Sequence, residues 1–259
     1  MGKRYIFISD VHGEYDKMIL SLNAVNFDKN KDVLVSLGDL FDRGPDSKKV
    51  LEFVMSCPKR ILIWGNHDLR LQELVDGAHY NKYDRMNGVP DTVRSFLGEN
   101  ISDWAIPAAL FRFSHCETIK LLRKYFKECV FAAEWDNLIA THAWLPHISS
   151  STEVLLSWRN IKSKEVWTEA TWSDTERIFK YNSCYPNKPL IVGHWHAWRL
   201  AISCGEHRMK DVGDGIDCST FISPNGKLIA IDGCANYEYG GVVNTYVYED
   251  STGRKPILY

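Results

Sequence analysis

Short runs of β-forming residues that end in clusters of Asp, His, Asn and Gly recur along this sequence, and they constrain the fold more than any other feature. The first three runs are Tyr5–Ser9, Val33–Leu37 and Arg60–Trp64. Between them lie segments with helical spacing of apolar residues, Tyr15–Val25 and Lys48–Met55. This alternation predicts parallel strands joined by right-handed crossovers. The polar clusters should therefore meet at the carboxyl edge of a sheet, where open α/β sheets bind ligands.

The clusters are rich in side chains that bind metal ions. After the first three strands they are Asp10-Val11-His12-Gly13, Gly38-Asp39 with Asp42-Arg43-Gly44, and Gly65-Asn66-His67-Asp68. Two later runs, Leu138–Ala140 and Leu190–Val192, lead into Thr141-His142-Ala143 and Gly193-His194-Trp195-His196. Oxygen and imidazole ligands suit Mn, Fe or Zn, and no cluster contains a cysteine. The sequence therefore predicts a metal site at the edge of the sheet.

The number of candidate ligands indicates two metal ions rather than one. A single metal needs only about three or four protein ligands, and the clusters supply more than that. We therefore expect two divalent ions bridged by one carboxylate, with Mn²⁺ as the first choice and Fe or Zn also suitable. Two such ions can clamp a phosphate and activate a water molecule for in-line attack.

The rest of the chain shows other periodicities. Helical spacing of apolar residues predicts a helical insertion at about 69–128, followed by a strand near Val130–Trp135. The segment Ser149–Tyr181 is also mostly helical in pattern, whereas β structure with a hairpin turn at Pro224–Gly226 is expected after His196. We expect a single domain over residues 1–259 in which two mixed sheets pack together with helices outside.

Composition excludes several classes of function. Apolar residues make up 45% and charged residues 25% of the chain, and a net charge of −2 gives no basic surface for general nucleic-acid binding. The seven cysteines are scattered and form no C-x-x-C pair, which favours reduced thiols. No signal-peptide core or membrane-length apolar run is present. We expect a cytoplasmic protein with no membrane or stable nucleic-acid partner and of undetermined oligomeric state.

The ordered motifs "DVHG", "GDLFDRG", "GNHD", "THA" and "GHWH" resemble the signature of the calcineurin-like metallophosphoesterases. They extend from Asp10 to His196, so the resemblance frames most of the chain. The "DRG" form is similar to the phosphoprotein phosphatase branch that includes the bacteriophage lambda phosphatase. The resemblance implies an α/β fold, a four-layer sandwich of two mixed β-sheets flanked by helices.

The resemblance also implies roles for individual residues. Asp10 and His12 would bind the first metal, and Asp39 would bridge the two ions. The second metal would be bound by Asn66, His142 and His194. His196 is a further candidate ligand of the first metal, although sequence spacing leaves the direction of its side chain open.

Three residues would carry out the chemistry according to the same resemblance. His67 would be the general acid that protonates the leaving oxygen, and Asp42 would orient its imidazole. Arg43 would bind the phosphate through its planar guanidinium. The reaction implied is direct hydrolysis by metal-bound hydroxide, without a phosphoenzyme.

These roles predict a phosphoprotein phosphatase-type phosphomonoesterase that acts on phosphorylated Ser or Thr in a protein or peptide. Two positions depart from that branch, which has an arginine before and a glutamate after Gly-Asn-His, whereas this chain has Trp64 and Asp68. "GNHD" also resembles bacterial diadenosine tetraphosphate hydrolases, so the alternative is hydrolysis of dinucleoside polyphosphates. A third hypothesis is a binding module on the same fold that has lost activity.

Several other residues have structural interpretations. We assign the histidines outside the strand ends to the surface or the core; they are His79, His115, His147 and His207. Three tryptophans are interpreted as helix-packing residues, one of which could instead line a substrate cleft; they are Trp158, Trp167 and Trp172. Arg159 and Arg177 lie where the resembling phosphatases have a further phosphate-binding arginine, and the sequence leaves open whether either contacts phosphate or lies at the surface.

Overall fold

Two β-sheets, one of five and one of six strands, form the centre of the fold in the described part of the chain. The computed structural model describes residues 2–147, 157–181, 186–208, 215–238 and 240–259. The strands are β1 Lys3–Ile8, β2 Val33–Ser36, β3 Arg60–Ile63, β4 Cys129–Val130, β5 Ala132–Glu134, β6 Ile139–Thr141, β7 Leu190–Val192, β8 Phe221–Ile222, β9 Leu228–Ala230, β10 Thr245–Asp250 and β11 Ile257–Leu258. The predicted fold of two mixed sheets with flanking helices is confirmed.

The helices alternate with the early strands and dominate the middle of the chain. They are α1 Tyr15–Ala24, α2 Ser47–Ser56, α3 Asn66–Val75, α4 Lys82–Met86, α5 Val89–Leu97, α6 Ile106–Arg112, α7 Glu117–Glu128, α8 Lys164–Thr171, α9 Thr175–Tyr181 and α10 Ala197–Ser203. Short 3₁₀ turns occur at Asp103–Ala105 and Trp158–Asn160. None of the helices in the described ranges is long and apolar enough to cross a membrane.

Strand order brings the polar clusters to one edge of each sheet. The first sheet runs β10-β1-β2-β3-β4, with β1 to β4 mutually parallel and β10 antiparallel to β1. The second runs β11-β5-β6-β7-β9-β8, and β6, β7 and β9 are parallel. Since parallel strands share their carboxyl edge, the loops after β1, β2 and β3 are neighbours, and so are those after β6 and β7.

Side-chain alternation along the strands explains the layers. On β1, Tyr5 and Phe7 face the second sheet, where Trp135 packs edge-on against both rings at centroid distances of 5.2 and 5.4 Å. Ile6 and Ile8 point the other way and join the apolar cluster formed with the helices. A strand buried on both faces needs a continuous hydrophobic run, which is what this segment has. The result is a helix–sheet–sheet–helix order.

The helices α3 to α7 connect β3 to β4 and contribute buried apolar side chains to the cluster on the outer face of the first sheet. The segment at 69–128 is thus helical, and β4 and β5 follow where a strand was expected. The treatment of this segment as an insertion into a single domain stays a prediction. Of the predicted helical stretch Ser149–Tyr181, residues 149–156 lie outside the described residues.

Candidate metal centre

The loops after five strands converge where the two sheets meet. Within the first sheet, the backbone N–H of Asp10 donates to the Gly38 carbonyl at 3.1 Å, and that of His12 to the Asp39 carbonyl at 3.1 Å. Between the sheets, the backbone N–H of His194 donates to Asp10 Oδ2 at 2.9 Å. The polar residues after β1, β2 and β7 are therefore held together by the backbone.

These loops adopt an uncommon backbone conformation. Six of the predicted site residues have left-handed φ values between 47° and 73°; they are Asp10, His12, Asp39, Asp42, Arg43 and His194. Such a conformation costs a non-glycine residue about 1–3 kcal/mol and persists only where the surroundings enforce it. Gly193 shows how tightly the loops approach, because a Cβ there would collide with Ser9 Oγ and Asp10 Oδ2.

Asp39 lies at the centre of the cluster. Its Oδ2 is 3.5 Å from His142 Nε2 and 4.0 Å from His12 Nε2, and all three residues are buried. Asp39 belongs to two groups of possible metal ligands, one with His12 and His67 and the other with His142 and His194. Within each group the ligand atoms lie within 4.8 Å of one another. This arrangement is the one a bridging carboxylate needs, so the predicted bridge has suitable geometry.

The imidazole tautomers fit bound cations. His12 Nδ1 is 2.9 Å from the Phe41 carbonyl and His142 Nδ1 is 2.7 Å from the Leu37 carbonyl, so each donates there and turns its Nε2 toward the cluster, as a metal-binding imidazole does. His142 Nε2 lies 2.9 Å from Asn66 Oδ1. His142 Nε2, Asn66 Oδ1 and the Asp39 carboxylate thus converge on one point, and this set of nitrogen and oxygen atoms suits a divalent cation.

The electrostatics of the cluster indicate excess negative charge. Burial opposes the charged form of His142, but the Asp39 carboxylate outweighs it and raises the pKa of His142 to about 9. Burial, opposed by His142, raises the pKa of Asp10 to about 6. Burial and the neighbouring His142 lower the pKa of His194 to about 3, which keeps this imidazole neutral as a ligand must be.

Asp10 is less directly engaged than the resemblance implies. Its carboxylate accepts hydrogen bonds from the Ser9 hydroxyl and the His194 backbone, and it belongs to neither of the two groups around Asp39 among the described residues. Its assignment as a ligand of the first metal stays a prediction. Ser9, which sequence reasoning did not single out, is the final residue of the first β-rich run and binds this carboxylate.

His67 and Asp42 form the predicted pair. His67 Nδ1 lies 2.8 Å from Asp42 Oδ2, so the ring donates to the carboxylate and its Nε2 faces the cluster. Burial favours neutral His67, but Asp39 and the Asp42 hydrogen bond outweigh it and raise the pKa of His67, so the imidazole holds a proton at higher pH. Arg43 is exposed, with Nη1 2.8 Å from His12 Nε2 and Nη2 3.2 Å from His67 Nε2.

Two residues that support the site were given no role by the sequence analysis. The Thr92 hydroxyl donates to Asp42 Oδ1 at 3.0 Å and accepts from the Asp42 backbone N–H at 2.7 Å. It lies on α5, fifty positions along the chain, where no motif indicates it. Asp68 is fully buried and accepts backbone N–H bonds from Asp39 at 2.8 Å and Gly65 at 3.1 Å. Asp68 stands in the "GNHD" motif, and this was the sequence signal that could have indicated its role at the site.

His196 lies in a different group from the other candidate ligands. Its Nε2 is 3.9 Å from Asp232 Oδ2, and the ligand atoms of His196, Asp232 and Cys234 lie within 4.8 Å of one another. Among the described residues it belongs to neither group around Asp39. Burial, reinforced by the positive charges of Arg199 and Arg43, lowers the pKa of His196 to about 4. Its role as a metal ligand stays a prediction.

Trp64 and the two candidate phosphate-binding arginines lie in different surroundings. Trp64 is 5% exposed and stacks on Phe126 with ring centroids 5.6 Å apart, so it belongs to the core and carries no charge to the site. Arg159 is engaged elsewhere, because its Nε and Nη2 donate to the two carboxylate oxygens of Glu134 at 2.7 and 2.8 Å. Arg177 lies on α9 and lines a cavity together with Trp172, whose ring contacts that of His194.

The fold and the strand-end cluster define a phosphoesterase with candidate sites for divalent metals. Residues 3–218 match the calcineurin-like phosphoesterase family, and the chain belongs to it. Among curated relatives, the symmetrical bis(5'-nucleosyl)-tetraphosphatase of Buchnera aphidicola subsp. Schizaphis graminum is 48% identical over 77 residues, which are 29% of this chain and 28% of the relative. The matched stretch thus spans less than a third of that relative's length.

Solved structures share the fold over nearly the whole chain. One, provisionally assigned as a diadenosine tetraphosphatase, has a TM-score of 0.53 at 18% identity and covers 99% of this chain and 93% of its own. A protein serine/threonine phosphatase from Saccharomyces cerevisiae has a TM-score of 0.54 at 14% identity, covering 99% and 84%. At these identities the likeness is one of fold, and it does not separate the two substrate classes.

Proposed function

We propose that this protein hydrolyses dinucleoside polyphosphates by symmetrical cleavage, as the name of its curated relative says of that enzyme. The observation that carries the proposal is the 48% identity to the symmetrical tetraphosphatase over 77 residues. The buried position of Trp64 adds support, because the cation that protein phosphatases have before Gly-Asn-His is absent from this position. The phosphoprotein phosphatase activity expected first from the "DRG" motif has less support.

The metal ligands and the catalytic residues have separate parts in this proposal. Two divalent ions would be held by Asp10, His12, Asp39, Asn66, His142 and His194, with His196 as a further candidate ligand. When bound, such ions neutralise phosphate charge and lower the pKa of a water molecule. The identity of the metals as Mn²⁺ and the cytoplasmic location stay predictions.

The chain's own residues bind the phosphate and handle the proton. Arg43 is exposed at the edge of the cluster and can donate two parallel hydrogen bonds to phosphate oxygens. Water adds to phosphorus and loses a proton to solvent, the bridging P–O bond breaks, and the departing oxygen takes the Nε2 proton of His67. The hydrogen bond from His67 Nδ1 to Asp42, 2.8 Å long, keeps Nε2 directed at the site.

A phosphomonoesterase is the second candidate function, and the His67–Asp42 pair is the observation in its favour. A general acid with a raised pKa benefits a poor leaving group such as the alkoxide of serine, whereas a departing nucleotide phosphate needs little protonation. An inactive binding module is a weaker candidate, because loss of activity gives no reason for retaining both the ligand set and this pair.

Product analysis tests the proposal. Mn²⁺-loaded protein is incubated with diadenosine tetraphosphate, and the products are separated by anion-exchange chromatography. Symmetrical cleavage yields only ADP, whereas asymmetrical cleavage yields ATP and AMP. Protein carrying Asp39→Asn, purified in parallel, controls for contaminating hydrolases. Equal amounts of ATP and AMP, or an intact substrate in the presence of bound metal, would contradict the proposal.

A further inference from the structure

Trp172 differs from the other tryptophans that the sequence assigns to helix packing. Trp158 and Trp167 are buried, at 2% and 3% exposure, and their rings contact each other edge-on. Trp172 follows α8 directly and is 56% exposed. The packing interpretation is therefore wrong for Trp172, because its position at the end of the helix directs it away from the core. An exposed indole carries a large apolar surface that a ligand can cover.

Trp172 is held next to the candidate metal centre. Its ring centroid is 6.4 Å from that of His194, with the two planes at 82°. Asp174 Oδ1 accepts a hydrogen bond of 2.6 Å from the Trp195 indole, and the Thr175 hydroxyl donates to the Ala143 carbonyl at 3.0 Å. These contacts attach the turn between α8 and α9 to the loops after β7 and β6. The indole is thus fixed beside the metal edge.

The same residue lines a cavity of suitable size and charge. The cavity is about 450 Å³ in volume, within the range of roughly 300–1,000 Å³ typical of small-molecule sites. Glu169, Asp174 and Arg177 contribute its charged side chains, two acidic and one basic. This balance disfavours a polyphosphate and accepts a neutral aromatic ring. A substrate whose phosphates lie at the Asp39 cluster would therefore extend its neutral part into this cavity.

We propose that Trp172 is the stacking surface for a nucleobase of the substrate and that this cavity is the nucleoside subsite. The inference rests on the proposed function, since it requires a phosphate compound that carries a base. Stacking on an aromatic side chain tolerates any base, so the subsite selects nucleotides over simple phosphate esters without selecting among bases. The exposed indole beside His194 brings a base and the reacting phosphate to neighbouring positions.

Kinetics with two substrates test this proposal. Removing a base-stacking aromatic should lower kcat/KM for diadenosine tetraphosphate by roughly 5- to 150-fold in Trp172→Ala, mostly through KM. Trp172→Phe keeps an aromatic face and should retain most of the activity. Turnover of a phosphoserine peptide without aromatic residues, which has no ring to stack, should change by less than about twofold in both variants. Trp104→Ala, at a tryptophan that is 84% exposed, is the matched control.

Ligand binding separates failure of this inference from failure of the proposed function. Calorimetry compares ADP with inorganic pyrophosphate, and this readout requires no turnover. Tighter binding of ADP by the wild type, with the preference lost in Trp172→Ala, supports the subsite even if diadenosine tetraphosphate is not cleaved. An unchanged preference overturns the inference. Equal loss of turnover of the peptide without aromatic residues and of bound metal would overturn it too, because Trp172 would then merely support His194.

Discussion

The two sides of the candidate site are built differently. The Asp39 side consists of loops after parallel strands, with buried side chains, left-handed backbone and hydrogen bonds from the backbone. The Trp172 side lies on the connection between two helices and exposes an indole to solvent. The difference teaches that the proposed reacting groups are positioned by the sheet edge, where short motifs reveal them. The proposed stacking residue lies on a helical connection whose pattern resembles ordinary packing.

The largest effect is expected from Asp39→Asn, which removes the central carboxylate of the Asp39 side. Asp39 belongs to both groups of ligand atoms, so its loss should weaken both metal positions. Because bound metals supply several kcal/mol of transition-state stabilisation, we expect kcat/KM to fall by at least about 10³-fold on every substrate. Metal analysis should find less than the wild-type content. Asp136→Asn, at an exposed carboxylate, is the control and should keep both properties.

His67→Asn should sharpen the assignment of the leaving group. Removal of the general acid should lower turnover of a phosphoserine peptide by about 10²-fold, because the alkoxide then departs without a proton. Diadenosine tetraphosphate should lose at most about tenfold, since its leaving phosphate is a weak base. Metal content should stay at the wild-type level. Equal losses on the two substrates, or none on the peptide, would remove His67 from the role of general acid.

Metal removal should reveal how much of the stability of the Asp39 side depends on bound cations. Asp39, His142 and Asn66 converge at 2.9–3.5 Å, an arrangement that cations stabilise. A metal present at 100 times its Kd adds about 2.7 kcal/mol to the free energy of unfolding. We therefore expect chelation to lower Tm for the wild type and to leave Asp39→Asn nearly unchanged. A wild-type Tm that changes neither with chelator nor with added Mn²⁺ would argue against a metal centre here.

The smallest effect concerns the support beneath Asp39. One carboxylate oxygen of Asp68 accepts backbone N–H bonds from Asp39 and Gly65, and the other accepts one from Leu40. Asp68→Asn replaces one acceptor oxygen by an NH₂ group and should lower the free energy of unfolding by about 1–2 kcal/mol. Urea denaturation measures the change. Asp91→Asn, which alters an exposed carboxylate on α5, should stay within about 0.5 kcal/mol of wild type. A fully stable Asp68→Asn protein would show that these bonds are replaceable.

The sequence predicted the sheets and the strand-end cluster because both depend on local patterns. Runs such as Val33–Leu37 are buried on two faces, and Asp39 lies three residues after the end of β2. Thr92 could not be predicted, since its contact with Asp42 arises from the packing of a distant helix. Trp172 was interpreted first as a packing residue, with a place in a substrate cleft left open for one of the three tryptophans, because helical spacing does not tell where a helix ends relative to the core. His196 was ambiguous for a related reason, as a turn after β7 decides its direction.

The central claim is that this site cleaves the phosphoanhydride of a dinucleotide in preference to a phosphomonoester. The most direct measurement is the ratio of kcat/KM for diadenosine tetraphosphate to that for a phosphoserine peptide, on Mn²⁺-loaded wild-type protein. We predict that the dinucleotide is favoured by orders of magnitude. A ratio that favours the peptide by a similar factor would contradict the claim and make the protein a phosphoprotein phosphatase.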